Sequence, residues 1–282
     1  MVVFLNGQFV PEKQAVVSAF DRGFLYGDGL FETLRVVNGV PFRWRQHLER
    51  LQRGAEVLKI ALPFGPAALS NFAARLLKKN RLKDALLRVH LSRGRGLRGY
   101  SPRRAERPTV VMSLHEPPKL HRRPPLRWRL ITSSIRLLAN DPLAQFKTCN
   151  RLPHILARAE AERAGADEAL LLNNNGLVAE ASTSNVFCIQ QGAVCTPPLP
   201  SGILPGVTRA VILELCQSLG LRSRESRMTP RQIFKADGVF LSLSSLGVVE
   251  TIALDGRRIP RSPVTTRIRL AYLELLRCET AD

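Results

Sequence analysis

Six side chains and one helix start in this chain are of the kinds on which chemistry is built. Lys147 lies in DPLAQFKTCN, after an apolar approach and just before an amphipathic stretch. A lysine amine becomes nucleophilic when burial or neighbouring charge lowers its pKa, and a loop-to-helix junction offers partial burial. Glu180 follows 33 positions later in VAEASTSNVF, at the expected end of a strand rich in small residues. In LPGVTRAVILEL, Pro205-Gly206 reads as a turn and a helix begins near Val207. The first N–H groups of such a helix lack partners, and Thr208 adds a hydroxyl, so an anion is well placed there. Arg50, in HLER, offers a cation, and Ser244 and Ser245, after FLSL, offer further hydroxyls.

Taken singly, each is more often ordinary: a solvated lysine, a strand-end carboxylate, a capped helix. Taken together they are the kinds of group that one type of cofactor would use. Pyridoxal 5′-phosphate (PLP) needs a lysine for its aldehyde, a carboxylate to keep its pyridine nitrogen protonated, and an anion site for its phosphate.

These residues need elements to hold them. VVFLNGQFV reads as a hairpin around Asn6-Gly7, and a second turn is expected at Asn38-Gly39 after a strand over residues 31–37. Apolar spacing at Leu48, Leu51, Ala55 and Leu58 predicts a helix, and a second spans residues 66–79. Strands are expected over residues 85–93 and 108–114. The Pro-rich segment HEPPKLHRRPP, residues 115–125, is the best linker, giving domains of 1–118 and 119–282. Beyond it come strands at 128–133, 168–172, 177–180, 185–189, 193–196 and 238–243. Helices are expected at 150–164, 207–219 and 264–276. Both parts mix sheet and helix, which favours an α+β (mixed α/β) architecture over a plain doubly wound sheet.

Composition narrows the partners. The chain has 282 residues, 45% hydrophobic, and a formal net charge of +19. That charge raises the case for nucleic acid or a membrane surface. However, the basic runs at 93–107, 122–136 and 222–231 carry little aromatic interleaving, and no nucleic-acid-binding motif is present. A catalytically inactive basic scaffold is the reading from another class. None of the five cysteines forms a CxxC pair, and no zinc spacing occurs. Nowhere do about 18 apolar residues run together. No metal, no membrane and a cytoplasmic location are therefore expected.

The string EASTSNVF (180–187), with VCT (194–196) and LPGVTR (204–209), resembles the signature of the class IV aminotransferase family. YGDGLFETLR (26–35), HLERL (47–51) and KTCNRL (147–152) fall in that family's order, so the resemblance spans nearly the whole chain. It implies a fold-type IV PLP enzyme of two domains, with PLP in the cleft between them, and a homodimer whose partner can complete the pocket. Carried over, Lys147 is the Schiff-base lysine and proton shuttle, and Glu180 faces the pyridine nitrogen. Arg50, Val207, Thr208 and Ser244 bind phosphate. Branched-chain members have a tyrosine shortly after the lysine, where Arg151 stands here.

Two reactions fit the resemblance. LSRGRGLRGYSP (91–102), KTCNRL and FLSLSSLGVV resemble 4-amino-4-deoxychorismate lyases, although Leu243 and Glu250 depart from that pattern. A dicarboxylate substrate gives Arg98, and Arg93 or Arg95, a role as clamps. Phe31 and Tyr100 are further substrate-side candidates, and Thr33 is the candidate for positioning the leaving group. The alternative is transamination of D-amino or branched-chain amino acids. D-specific enzymes place a histidine where Tyr100 stands.

Overall fold

A computed structural model describes residues 1–120 and 125–281. Residues 121–124 of the expected linker lie outside the described residues. By contacts the chain divides into two units. One is Met1–Pro117 with Phe146–Asn150 and Arg277–Asp282; the other is Pro118–Gln145 with Arg151–Leu276. The division is therefore not a single break at 118/119: two short later segments cluster with the first unit.

In the first unit, β1 (Val2–Leu5), β2 (Gln8–Pro11), α1 (Arg22–Tyr26), β3 (Gly29–Val37), β4 (Val40–Pro41), α2 (Trp44–Leu58), α3 (Pro66–Asn80), β5 (Ala85–Ser92) and β6 (Thr109–His115) follow in order. The strands form one sheet in the order β2-β1-β6-β5-β3-β4. Both hairpin turns are left-handed at each central residue: Asn6 and Gly7 have φ of 48° and 92°, Asn38 and Gly39 of 51° and 81°. Asn-Gly tolerates that geometry, which matches the twist of the flanking strands. Leu48, Leu51 and Ala55 of α2 pack on Leu30, Leu34 and Val36 of β3. Phe4 anchors the far side, with Phe72 at 4.5 Å and Phe9 at 5.6 Å between ring centroids.

The second unit contains β7 (Arg127–Leu137), α4 (Leu152–Arg163), β8 (Glu168–Asn173), β9 (Val178–Ala181), β10 (Asn185–Gln190), β11 (Ala193–Thr196), α5 (Val207–Ser218), β12 (Ser223–Glu225), α6 (Pro230–Phe234), β13 (Gly238–Leu243), β14 (Gly247–Leu254), β15 (Arg257–Arg258) and α7 (Pro263–Glu279), whose last turn clusters with the first unit. The sheet runs β12-β11-β10-β13-β14-β7-β8-β9, with β15 beside β14. β7 lies parallel to both its neighbours. The architecture is the mixed α+β one expected from the sequence.

Two boundaries differ for identifiable reasons. The helix expected from residue 150 starts at Leu152, because the chain just before it is engaged elsewhere: Cys149 donates its N–H to Gly29 O at 2.9 Å. α1 is too short to show periodicity. Its ends are fixed instead by Asp21, which accepts from Gly23 N at 2.8 Å, and by Gly27 at φ 67°. Among the described residues, no helix is long and apolar enough to cross a membrane.

Candidate active site

Lys147 is held by backbone pairing. Phe31 donates its N–H to Lys147 O at 2.9 Å, Leu30 and Thr148 form a bridge, and Cys149 closes the stretch on Gly29. A three-residue antiparallel contact thus fixes the lysine along β3. Its side chain crosses the ring of Phe31, with Nζ 4.7 Å from the centroid. Phe31, 9% exposed, is shared by other groups of the same face. The Arg88 guanidinium lies 4.0 Å from its centroid, and the His90 ring stacks on it at 6.0 Å and 16°. His90 Nε2 lies 3.1 Å from Cys149 Sγ. Burial first, then Arg88, pushes His90 down to about 4, so its imidazole is neutral near pH 7. Arg88 faces Thr33 across the β3–β5 ladder. Burial lowers Arg88 from its usual value, yet an arginine stays charged at neutral pH.

The other face of β3 carries a buried ionic cluster. Arg50 donates to Glu32 through Nε at 2.8 Å and Nη2 at 2.7 Å, and His47 Nδ1 meets the same carboxylate at 2.6 Å. Burial opposes ionisation of Glu32, but Arg50 and His47 outweigh it and bring the carboxyl down to about 2. Arg50, expected at a phosphate, is thus oriented by Glu32.

In the second unit, Glu180 is 6% exposed. Its Oε1 meets His154 Nε2 at 3.0 Å, and its Oε2 accepts from Asn185 Nδ2 at 3.3 Å and Leu204 N at 2.9 Å. α5 begins after Gly206 with no side-chain cap and no acidic residue in its first turn. Thr208 Oγ1 and Ser244 Oγ lie 3.5 Å apart beside it. Behind Glu180, the buried Glu168 accepts from Ser182 and Thr183, which anchors the ASTS turn.

Gly206 is required by contact, not by its φ of −64°: a Cβ there meets Asn185 Oδ1 at 2.1 Å. Gly206→Ala is expected to cost about 1–3 kcal/mol of stability by overpacking. A thermal melt of apoprotein and holoprotein checks it, and the displaced Asn185 makes the gain on adding PLP smaller than in the parent.

Arg98 and Tyr100 lie on the loop after β5, exposed, with Tyr100 86% accessible. Arg22 donates to Gly99 O at 2.8 Å and Tyr100 O at 3.1 Å, tying that loop to α1. Sequence reasoning passed over Glu32, His47, Arg88, His90 and His154. The alternation in ALLRVHLS, in which Arg88 and His90 share the less buried face of β5, is a signal that could have found two of them.

The donor set fits PLP. It offers a lysine on a rigid stretch, a buried carboxylate with acceptor capacity remaining, and an uncapped helix start flanked by hydroxyls. The chain matches the amino-transferase class IV family over residues 29–252. It is 37% identical over 266 residues (94% of this chain, 91% of the other) to a Methanocaldococcus jannaschii protein provisionally named a branched-chain-amino-acid aminotransferase. It is 33% identical over 252 residues (88% and 85%) to the aminodeoxychorismate lyase of Bacillus subtilis. It is 30% identical over 285 residues (100% and 99%) to the D-alanine aminotransferase of Bacillus licheniformis. A T.th. branched-chain amino acid aminotransferase solved with pyridoxamine 5′-phosphate superposes with a TM-score of 0.91 at 31% identity, covering 97% of this chain and 93% of that one. The chain belongs to the class IV aminotransferase family, a group of PLP-dependent transaminases and lyases. Its cofactor is accordingly PLP, and its fold is that of the fold-type IV enzymes.

Proposed function

We propose that the protein is a 4-amino-4-deoxychorismate lyase, eliminating pyruvate to leave 4-aminobenzoate for folate synthesis. One observation carries this reading. Arg88 is half-buried on the face that bears Lys147 and Thr33, yet it makes no hydrogen bond or ion pair among the described residues. A half-buried cation without a carboxylate partner is costly, and a carboxylate of a dianionic substrate would relieve that cost. The segments LSRGRGLRGYSP and KTCNRL support the same reading.

Lys147, Glu180, Arg50, the backbone of Val207, Thr208 and Ser244 hold the cofactor. PLP, when bound, supplies the sink for the electron pair left when the C–H bond beside the substrate nitrogen breaks. Lys147 Nζ takes that proton, and the strand contact on β3 limits where the amine can reach. Glu180 is held in place by His154, Asn185 and the Leu204 N–H. Arg88 and Arg98 hold carboxylates, and Phe31 and Tyr100 bound the ring. Thr33, opposite Arg88, positions the departing enolpyruvyl group, which leaves as pyruvate once protonated.

A second copy of the chain completes the site. In the first unit, Phe24 (77% exposed) on α1 and Leu97 and Tyr100 on the loop after β5 expose apolar side chains of the kind a homodimer covers. The protein acts in the cytoplasm. The alternative is a D-amino-acid or branched-chain transaminase; the 37% identity to the M. jannaschii relative supports its branched-chain form.

Aminodeoxychorismate supplied to the holoenzyme is expected to yield 4-aminobenzoate. Arg88→Leu is expected to lower kcat/KM about 10- to 100-fold, the scale of one charge-assisted hydrogen bond. Turnover of L-leucine or D-alanine with 2-oxoglutarate, and no 4-aminobenzoate, would reverse the assignment.

A further inference from the structure

Glu180 has three donors, and their distribution is uneven. An ionised carboxylate offers about four acceptor positions, two on each oxygen. Asn185 and Leu204 occupy both positions on Oε2, while Oε1 holds only His154 Nε2 at 3.0 Å. The remaining acceptor position therefore lies on Oε1, the oxygen that His154 grips. Asn185 and Leu204 hold one end of the carboxylate, and His154 fixes the direction of the open lone pair at the other.

The histidine is placed for little else. It stands in the first turn of α4, with its side chain 14% exposed. Nδ1 is buried with no hydrogen-bond partner. A buried imidazole that is part of a structural network usually has both nitrogens satisfied, whereas this ring has one polar tie, to Glu180. Because a carboxylate only accepts, the proton of that tie sits on Nε2.

We propose that His154 is a positioning residue for the cofactor: its Nε2–H orients Glu180 so that the open Oε1 lone pair receives the pyridine N–H of PLP. The inference rests on the reading that Glu180 faces the pyridine nitrogen.

The test uses full-length holoenzyme reconstituted with 15N-labelled PLP. It compares the parent, His154→Leu, His154→Gln and Glu180→Gln. Three quantities are read: the pyridine 15N resonance, the Kd for PLP, and the melting temperature of the apoprotein. His154→Leu, which lacks a donor, is expected to move the 15N resonance and weaken PLP about tenfold, the loss of one hydrogen bond to a charged group. His154→Gln keeps an N–H donor and is expected to recover most of both. If Glu180→Gln alters the resonance while both His154 variants match the parent, the His154 proposal is overturned and the Glu180 reading stands. If Glu180→Gln also matches the parent, the Glu180 reading itself fails, and this inference with it. Equal impairment of His154→Leu and His154→Gln, accompanied by a lower apoprotein melting temperature, assigns His154 to packing and overturns the proposal as well.

Discussion

Lys147→Ala is expected to reduce turnover by at least about 10⁴-fold, because under the proposed function it removes a proton-transferring group and a covalent anchor together. The visible band of lysine-bound PLP is expected to disappear. Folding should be nearly untouched. What secures the 147–149 stretch is backbone pairing to Gly29, Leu30 and Phe31, and an alanine preserves all of it. The side chain's contact over the Phe31 ring is worth about 0.5–1 kcal/mol. Single-turnover assays, an absorption spectrum and a urea melt separate these effects. An unchanged spectrum in the variant would falsify the assignment of Lys147. Lys147→Arg serves as a second case. It keeps the cation over Phe31, and so the stability, but a guanidinium is not a nucleophile at neutral pH.

Glu32→Leu is expected to show the opposite profile, a loss of about 3–5 kcal/mol of stability, because it removes the carboxylate on which the buried Arg50 guanidinium makes two hydrogen bonds. Arg50 is 4% exposed and Glu32 1%. The double variant Glu32→Leu/Arg50→Met should be less destabilised than Glu32→Leu alone, since both charges then leave together. The pH dependence follows from the direction of the shift. The Glu32 carboxyl is depressed in the folded protein, from 4.5 to about 2, so its contribution is complete above the unfolded value of 4.5. It is lost as the pH falls toward 2. Urea melts of the parent and of Glu32→Leu should therefore converge between about pH 4.5 and 2. A difference that stays constant across that window would show that packing, and not charge, accounts for the cost. Burial also lowers His47 from its ordinary 6.5. In the parent, the unfolded chain then binds a proton there before the folded one does, so stability falls as the pH drops below 6.5.

The sequence revealed most where local chemistry dictates geometry. The Asn-Gly pairs announced both hairpins because few other residues accept two successive left-handed conformations. Lys147, Glu180 and the Gly206 helix start were legible because each belongs to a short run of distinctive composition. Other features depend on contacts between distant residues. β14 starts at Gly247, directly after β13, and its serine-rich entry carries little alternation. Its strand character comes from pairing with β13 on one side and β7 on the other. Glu32 reads as a strand-face carboxylate until α2 brings His47 and Arg50 onto it, 15 and 18 residues away. His154 likewise gains its meaning only when α4 meets β9 across 26 positions. The division of the chain was hidden for the same reason: five residues around the lysine leave their neighbours to pair with a strand more than a hundred positions earlier.

That last excursion bears on how such a protein can change over generations. Phe146–Asn150 and Arg277–Asp282 both belong to the unit formed by Met1–Pro117. The last segment is also tied in by Asn38, which donates to Thr280 O at 3.0 Å, and by Arg43, paired with Glu279 at 2.8 Å. No single crossover between two related genes can therefore swap one unit whole. A hybrid joined near residue 118 takes β3 and β5 from one parent and the lysine stretch that pairs along β3 from the other. New specificities in this lineage are thus expected to arise by replacement of individual side chains on β3, β5 and the loop after β5, while the two units are inherited as a pair.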